Sequence, residues 1–309
     1  MAYAHAPVML QEAMEFLRPE AQRSYLDGTL GGGGHSEKIL ELSSPDGMVL
    51  GLDWDDEAVA AAGQRLERFG DRLVVERANF REAREVLRRI GRERVHGVLL
   101  DLGISSHHVE SAGRGFSFRT EARLDMRMDR RQGPDASEIV NTFPVRELAR
   151  ILREFGEEPR ARQIAFAIDA ERRRGRITRT EELADLVARV AGKKRGHIHP
   201  ATKTFQALRI AVNRELENLQ GFLEDGYELL HPGGRMVIIS FHSLEDRLVK
   251  QAFKKWSRSC ICPPKTPVCR CGWNQKVRLL TSTPRIPSET ELQLNPRARS
   301  AKLRAVERL

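Results

Sequence analysis

The sequence has few cysteines and no long apolar run. Its 309 residues include only four cysteines, all between Cys260 and Cys271, which excludes a disulfide framework for a chain of this size. No apolar run approaches the roughly 18 residues of a membrane-spanning helix, so we expect no membrane partner. The N-terminal segment lacks the charged lead, apolar block and small-residue cleavage site of a secretory signal, and we expect a cytoplasmic protein.

Basic residues exceed acidic ones, and the excess is unevenly distributed. The chain has 52 lysines and arginines against 43 aspartates and glutamates, a net charge of +9. Residues 1–107 carry a net charge of −5, whereas residues 108–215 and 216–309 carry +7 each. Because summed charge steers association, this distribution favours a polyanion partner held by the later segments. A source that generally favours arginine would give the same composition, so charge alone leaves both interpretations open.

Short apolar runs alternate with amphipathic helical patterns over residues 1–107, which is typical of an α/β fold with a parallel sheet covered by helices on both faces. A fifth strand is expected soon after Asp101, but the sequence continues there with a polar, glycine-containing stretch and several helical patterns. The next strand pattern is RMVIISF, which begins at Arg235. One long helix is predicted from about Pro200 to Leu230, ended by the HPGG turn. VRLLT and SAKLRAVER predict an edge hairpin. The sequence therefore predicts one sheet domain interrupted by a helical insertion.

The strongest local signal is a glycine loop, YLDGTLGGGGHS, which runs from Tyr25 to Ser36 and joins an apolar strand to a helix. Glycines let the backbone approach a ligand closely, and the helix start offers free N–H groups. A dinucleotide would need the pattern G-x-G-x-x-G, whose third glycine position falls on Ser36. The spacing of Asp27, Gly31 and Gly33 instead fits the acidic form of the loop that binds S-adenosylmethionine. This favours S-adenosylmethionine over a nicotinamide cofactor, and a purely structural turn is the remaining alternative.

Three further residues follow the next strands at the edge where open α/β sheets bind ligands. Asp53 ends the second strand and could accept hydrogen bonds from ribose hydroxyls or cap the following helix. Phe80 follows the third strand and could cover an adenine or belong to the core. Asp101 ends the fourth strand. Together they predict a cofactor crevice at the carboxyl ends of the strands.

Several longer blocks resemble the ribosomal RNA small subunit methyltransferase H family: LDGTLGGGGHS, LLDLGISS, RGFSFR with LDMRMD, ATKTFQALRIAVNRELE, GGRMVIISFHSLEDR and NPRARSAKLRAVER. The resemblance covers nearly the whole chain. It implies a Rossmann-like class I S-adenosylmethionine-dependent methyltransferase with a mostly parallel sheet. It further implies methyl transfer to the N4 amine of a cytidine in the decoding region of small-subunit rRNA, with that rRNA or the small ribosomal subunit as partner. We expect residues 1–112 and 215–309 to form the methyltransferase domain and residues 113–214 an inserted helical, basic RNA-recognition domain.

The resemblance also assigns site residues. The cofactor contacts that it implies are Gly33, Gly34, His35, Asp53, Phe80, Asp101 and His108. The family usually has proline and glutamine where this chain has His107 and His108. Asp101 is the candidate catalytic residue, because with Ser105 and Ser106 it could orient the reacting amine. We expect no metal ion in the reaction.

Other residues have two interpretations each. His242 could contact the substrate base, or the SFHSLED motif could simply start a helix that Ser243 caps. Phe116 and Phe118 could stack on an extruded base or belong to the core. The four cysteines could bind zinc together or remain reduced surface thiols. They are Cys260, Cys262, Cys269 and Cys271.

Three basic runs, Glu171–Arg176, Lys193–Lys203 and PRARSAKLR near the C-terminus, could contact RNA phosphates or be solvated faces. Two alternative functions remain at this point. The chain could methylate another nucleic acid, or it could be a non-catalytic RNA-binding assembly factor. A homo-oligomer is compatible with the sequence.

Overall fold

The structure is a computed structural model that describes residues 7–104, 113–118, 121–192, 199–263, 266 and 268–309. The chain divides into two compact units. The sheet unit comprises Met1–Gly103 and Leu216–Leu309, and the helical unit comprises Ile104–Glu215. The division between the two units falls at residue 104, whereas the sequence predicts that the insertion begins at residue 113. No helix among the described residues is both long and apolar enough to span a bilayer.

Seven strands form one sheet in the order β3-β2-β1-β4-β5-β7-β6. In chain order they are β1 Ser24–Asp27, β2 Met48–Asp53, β3 Leu73–Arg77, β4 Val95–Asp101, β5 Leu230–Ser240, β6 Val277–Leu279 and β7 Lys302–Arg308. Strands β1 to β5 are parallel, and β7 runs antiparallel to both of its neighbours. The strand order reverses between β1 and β4, which is where open α/β sheets form their ligand crevice. This topology confirms the predicted Rossmann-like α/β fold, and the β6–β7 pair is the predicted edge hairpin.

Twelve α-helices lie in the described residues. They are α1 Leu10–Leu17, α2 Gly34–Leu42, α3 Asp56–Leu66, α4 Ala83–Arg89, α5 Ala136–Thr142, α6 Val145–Gly156, α7 Ala161–Arg172, α8 Thr180–Ala191, α9 Thr202–Asn213, α10 Glu215–Asp225, α11 Ser243–Trp256 and α12 Glu289–Leu294. In the sheet unit, β4 shows why the strands read as continuous apolar runs. Val98 and Leu100 belong to the core on one face of the sheet, and Leu99 belongs to the core on the other.

The single long helix predicted between Pro200 and Leu230 is wrong. Arg214 has a left-handed backbone (φ 50°, ψ 36°), and it separates α9 from α10. The apolar spacing continues across the break because each helix buries its own face. Phe205 and Leu208 lie in the core of the helical unit, whereas Leu219 lies in the core of the sheet unit. One periodic pattern thus serves two separate cores.

The HPGG turn lies inside β5 and does not precede it. The strand begins at Leu230 and its pairing with β4 shifts register between Val95 and Gly97. Gly233 has a φ of +77°, which favours glycine at this irregularity. The strand is therefore longer than the apolar run that predicted it.

Candidate functional site

Three aspartates stand at the carboxyl edge of the sheet. In the strand register, Asp27 at the end of β1 is level with Gly51 of β2 and Leu99 of β4. Asp53 and Asp101, two residues further along, therefore extend beyond it on either side. The structure thus brings together the strand-end carboxylates that the sequence predicts.

The glycine loop lies across the ends of these strands. The Gly28 N–H donates to the Leu99 carbonyl at 2.9 Å, and the Leu30 N–H donates to the Leu52 carbonyl at 2.8 Å. A Cβ on Gly28 would lie 2.4 Å from Leu100 Cδ2 and 2.9 Å from Phe80 Cβ, so any larger residue would force these neighbours to shift. The loop is fixed to β4 on one side and to β2 on the other.

Gly33 and Gly34 start α2 at this edge. Gly33 has a φ of +77° and precedes the helix without a side-chain cap. A Cβ at Gly33 would lie 2.9 Å from Leu66, and one at Gly34 would lie 2.5 Å from Pro7. These contacts, together with the positive φ of Gly33, favour glycine at both positions. A helix start without a side-chain cap is suited to binding an anionic group of a ligand.

Asp27 braces the loop. Its buried carboxylate accepts hydrogen bonds from the Ser36 Oγ at 2.7 Å and the Thr29 N–H at 3.2 Å. Burial raises the pKa of this carboxyl to about 6, although the Ser36 hydrogen bond acts to lower it. In the sequence, Ser36 is notable only because it occupies the third glycine position of the dinucleotide pattern. In the structure its hydroxyl holds the Asp27 carboxylate, a role that the sequence did not predict.

Asp53 accepts two backbone hydrogen bonds, from the Gly31 N–H at 2.9 Å and from the Asp55 N–H at 3.0 Å. The N-cap of α3 is Asp55, whose side chain accepts from the Glu57 N–H at 2.9 Å. The interpretation of Asp53 as a helix cap is therefore wrong. A carboxylate oxygen can accept more than one hydrogen bond, so these contacts are compatible with a further bond from a ligand hydroxyl.

Asp101 has the most unusual surroundings. Its N–H donates to the Thr29 Oγ at 2.6 Å, while its Oδ1 is buried and has no hydrogen-bond partner among the residues that the structure describes. Burial raises the pKa of the carboxyl to about 7, the charges of Asp27 and two glutamates act in the same direction, and the Gly103 N–H acts to lower it. A buried acceptor without a partner is costly in a closed protein, so it marks a position for a donor or a cation.

His35 lies next to Asp101. Its ring is buried, and its Nε2 is 3.0 Å from the Val8 carbonyl. Because a carbonyl only accepts, Nε2 donates, and in the neutral ring Nδ1 is then an acceptor. Nδ1 lies 3.8 Å from the Asp101 Oδ2, which is longer than a hydrogen bond. The histidine therefore shapes the wall beside Asp101 and is held from the N-terminal segment.

Phe80 follows β3 at the same edge. Its ring meets Phe222 edge-on, with centroids 5.8 Å apart, and its Cβ lies 2.9 Å from where a Cβ on Gly28 would stand. Phe80 is only partly buried against the core. Contact with an adenine stays a prediction. His108, Ser105 and Ser106 lie outside the described residues.

The structure revises the interpretation of the SFHSLED motif. The N-cap of α11 is His242 rather than Ser243, because the His242 Nδ1 accepts from the Glu245 N–H at 3.3 Å. Glu245 accepts in return from the Phe241 and His242 N–H groups, and its Oε1 lies 3.0 Å from the His242 Nε2. The histidine ring thus serves the helix start, and its contact with a substrate base stays a prediction.

The two phenylalanines of RGFSFR are packed within the helical unit. Phe116 is buried in its hydrophobic core. Phe118 stacks on His199 with ring centroids 4.6 Å apart and meets Phe205 edge-on. The core interpretation therefore accounts for both rings.

The basic runs contain two kinds of arginine. Arg172 and Arg304 are largely buried: Arg172 donates to the Val140 and Phe143 carbonyls, and Arg304 pairs with Asp246 at 2.7 Å. Arg173 and Arg174 are mostly exposed. Residues 193–198 of the second run lie outside the described part of the chain. Only some of the basic excess is therefore free to meet a partner.

Comparison with known proteins gives matches along the whole chain. A model of the MraW methylase family matches residues 2–309. The ribosomal RNA small subunit methyltransferase H of Thermomicrobium roseum is 52% identical over 309 residues, covering 100% of this chain and 95% of that protein. Proteins of the same name from Geobacter sulfurreducens and Heliobacterium modesticaldum are 50% and 48% identical and cover 100% of both chains. These matches confirm the resemblance that the sequence motifs indicate: the chain belongs to the MraW methylase family.

Proposed function

We propose that this protein transfers a methyl group from S-adenosylmethionine to the exocyclic N4 amine of a cytidine in the decoding region of small-subunit rRNA. The observation that carries the proposal is the buried Oδ1 of Asp101, which has no hydrogen-bond partner within the described part of the chain and lies beside a glycine loop in a member of the MraW methylase family. The names of the full-length relatives support small-subunit rRNA as the substrate. Such a substrate implies a cytoplasmic enzyme.

The residues at the carboxyl edge fit S-adenosylmethionine part by part. Asp53 would accept hydrogen bonds from the ribose hydroxyls, and Phe80 would cover the adenine. The uncapped helix start at Gly33, Gly34 and His35 suits the carboxylate of the methionine moiety. His108 is the remaining expected contact. When bound, the cofactor supplies an electrophilic methyl group on a positively charged sulfur.

Asp101 would act on the substrate amine. The lone pair of a cytosine amine is delocalised into the ring, so a carboxylate that accepts a hydrogen bond from the amine can turn the nitrogen toward the methyl donor. Holding two reactants in line in this way lowers a barrier by about 7 to 11 kcal/mol in favourable cases. The Oδ1, for which no described residue is a partner, could accept that hydrogen bond.

The placement of the cysteines favours an amine target over ring carbon C5, whose methylation needs a cysteine nucleophile. All four cysteines lie between α11 and β6. Helix α11 leaves the carboxyl edge after β5 and ends at Trp256, where the Trp256 carbonyl accepts from the Lys276 N–H at 2.8 Å. Strand β6 begins directly after Lys276 and runs in the same direction as β5. The connection that carries the cysteines therefore lies at the amino edge of the sheet, away from Asp101.

Exposed arginines of the helical unit would position RNA. Arg173, Arg174 and Arg189 are mostly exposed, and their ion pairs with Asp169 and Glu171 span 2.6 to 3.8 Å. Exposed pairs of this kind contribute little to stability, so phosphates can replace the carboxylates at small cost.

The decisive experiment offers labelled S-adenosylmethionine together with small ribosomal subunits, free small-subunit rRNA, DNA and protein in parallel. We expect label on small-subunit rRNA and N4-methylcytidine in its nucleoside digest. Asp101→Asn should lower transfer at least tenfold, whereas Asp46→Asn, an exposed aspartate at the amino edge, should leave it unchanged. Label on DNA or protein alone would overturn the substrate. RNA binding without any transfer by the parent protein would instead favour an assembly factor.

A further inference from the structure

The four cysteines form a compact cluster in the connection between α11 and β6. The Sγ atom of Cys269 lies 3.4 Å from that of Cys260, 3.9 Å from that of Cys262 and 3.5 Å from that of Cys271. The Cys260 and Cys271 sulfurs are 3.7 Å apart, and all four lie within 4.8 Å of one another.

These separations match a tetrahedron of sulfurs around one metal ion. A zinc–thiolate bond is about 2.3 Å long, which places the corners of a regular tetrahedron roughly 3.8 Å apart. A disulfide would instead bring two sulfurs to about 2.05 Å. In an iron–sulfur cluster the four thiolates are divided between two or four iron atoms, so the sulfurs bound to different irons stand further apart than these. Tetrahedral coordination by four sulfurs is typical of zinc.

Among its described residues the connection has little packing of its own beyond Trp273, whose ring meets that of Tyr227 edge-on. The described residues between Trp256 and Val277 form no helix or strand, and the apolar side chains of Ile261 and Val268 are exposed rather than packed. The Lys276 N–H hydrogen bond to the Trp256 carbonyl makes the connection leave and rejoin the sheet unit at one point. A long connection whose ends lie together and which has no hydrophobic core of its own usually needs a metal ion or a disulfide to hold one conformation.

A backbone amide already points at one of the sulfurs. The Cys262 N–H donates to the Cys260 Sγ at 3.4 Å. Such donors stabilise thiolates, which are the form of cysteine that binds metal. The Trp273 Nε1 also donates to the Arg258 carbonyl at 3.1 Å, which closes the connection around the cluster.

We propose that Cys260, Cys262, Cys269 and Cys271 bind one Zn²⁺ ion through four thiolates. The ion orders the connection between α11 and β6 at the amino edge of the sheet and takes no part in methyl transfer.

The test measures zinc in the full-length protein, expressed without a histidine tag in zinc-supplemented medium and purified under reducing conditions. We expect one zinc per chain by elemental analysis, and four thiols that react with a thiol reagent only after a chelator and denaturant are added. Replacement by Co²⁺ should give the intense visible bands of tetrahedral cobalt thiolate. The double variant Cys262→Ser/Cys269→Ser should lose the metal, whereas Ser259→Ala, next to Cys260 but without a thiol, should retain it.

A second measurement separates ordering of the connection from catalysis. Removing zinc should raise amide hydrogen exchange in residues 257–276 at least tenfold and leave S-adenosylmethionine affinity within about twofold. Protein with less than one-tenth of a zinc per chain and four freely reactive thiols would overturn the proposal. So would a mass lower by four hydrogens, which shows two disulfides, or retention of zinc by the double variant.

Discussion

Burial raises the pKa of the Asp101 carboxyl to about 7, which brings its protonation into the neutral pH range. A protonated carboxyl neither balances a cation nor accepts a hydrogen bond as strongly as a carboxylate. S-adenosylmethionine carries two positive groups, the α-ammonium and the sulfonium. A cation bound near Asp101 favours the ionised form and lowers its pKa, so binding below pH 7 must release a proton.

We therefore expect the affinity for S-adenosylmethionine to rise with pH up to about 7 and then to level off. Isothermal titration at pH 6.5 in two buffers of different ionisation enthalpy should show proton release, and Asp101→Asn should abolish it. S-adenosylhomocysteine, which keeps the ammonium and lacks the sulfonium, is the matched ligand. Equal release with both ligands assigns the effect to the ammonium, and the same heats in both buffers for the parent protein would contradict the role of Asp101.

Asp53 and Asp55 form a natural pair for testing the ribose contact, since one ends β2 and the other caps α3. We expect Asp53→Ala to weaken cofactor binding about 10- to 100-fold, the range expected for a hydrogen bond to a charged group. Asp55→Ala should instead lower stability by about 1 kcal/mol and leave affinity unchanged. The measurement is titration with S-adenosylmethionine and with its 2′-deoxy analogue. A parent protein that binds both equally well would exclude the ribose contact.

The strand-end rule located Asp27, Asp53 and Asp101, because carboxyl ends of parallel strands meet at one edge whatever the loops do. It could not assign their separate roles. Asp27 proves to brace the loop through Ser36, and Thr29 supports the Asp101 backbone. Both contacts depend on how the glycine loop folds back over β4, which no short sequence pattern encodes.

At the scale of elements, strands were easier to predict than helix ends. Strands β1, β2 and β4 are buried on both faces and read as apolar runs with sharp limits. The break between α9 and α10 gave no signal, because arginine is a good helix former and the apolar spacing continues through it. Here the tertiary structure, with a different core on each side, overrides local preference.

The backbone of Arg214 makes that break testable. Left-handed φ and ψ cost an ordinary L-residue about 1 to 2 kcal/mol, whereas glycine adopts them freely, and a β-branched residue suffers most. In urea denaturation we expect Arg214→Gly to be more stable than the parent and Arg214→Val to be less stable. The free energy of unfolding of the glycine variant should be higher than that of the parent by up to about 1 kcal/mol. A glycine variant less stable than the valine variant would show that the side chain, and not the backbone, sets the break.

At the scale of the whole molecule, the net charge of +9 overstates the charge available to a partner. Arg209 and Arg235 are largely buried and pair with Glu215 and Glu307, as Arg304 does with Asp246. Sequence composition located the basic excess but could not separate these internal pairs from exposed cations. Phosphate contacts should therefore come from a small set of exposed arginines.

Arg173 and Arg174 provide the sharpest test of that set, because both are at least three-quarters exposed. Each phosphate contact on a single strand contributes about −0.7 to the slope of log affinity against log salt concentration, so Arg173→Gln/Arg174→Gln should make the slope shallower by about 1.4. The control, Arg68→Gln/Arg89→Gln, removes the same charge from exposed positions of the sheet unit and should leave the slope unchanged. Binding of a decoding-region rRNA fragment, measured by anisotropy across a salt series, compares the two pairs. Equal changes in both would mean that RNA responds to total charge alone and would remove the basis for assigning the helical unit to RNA recognition.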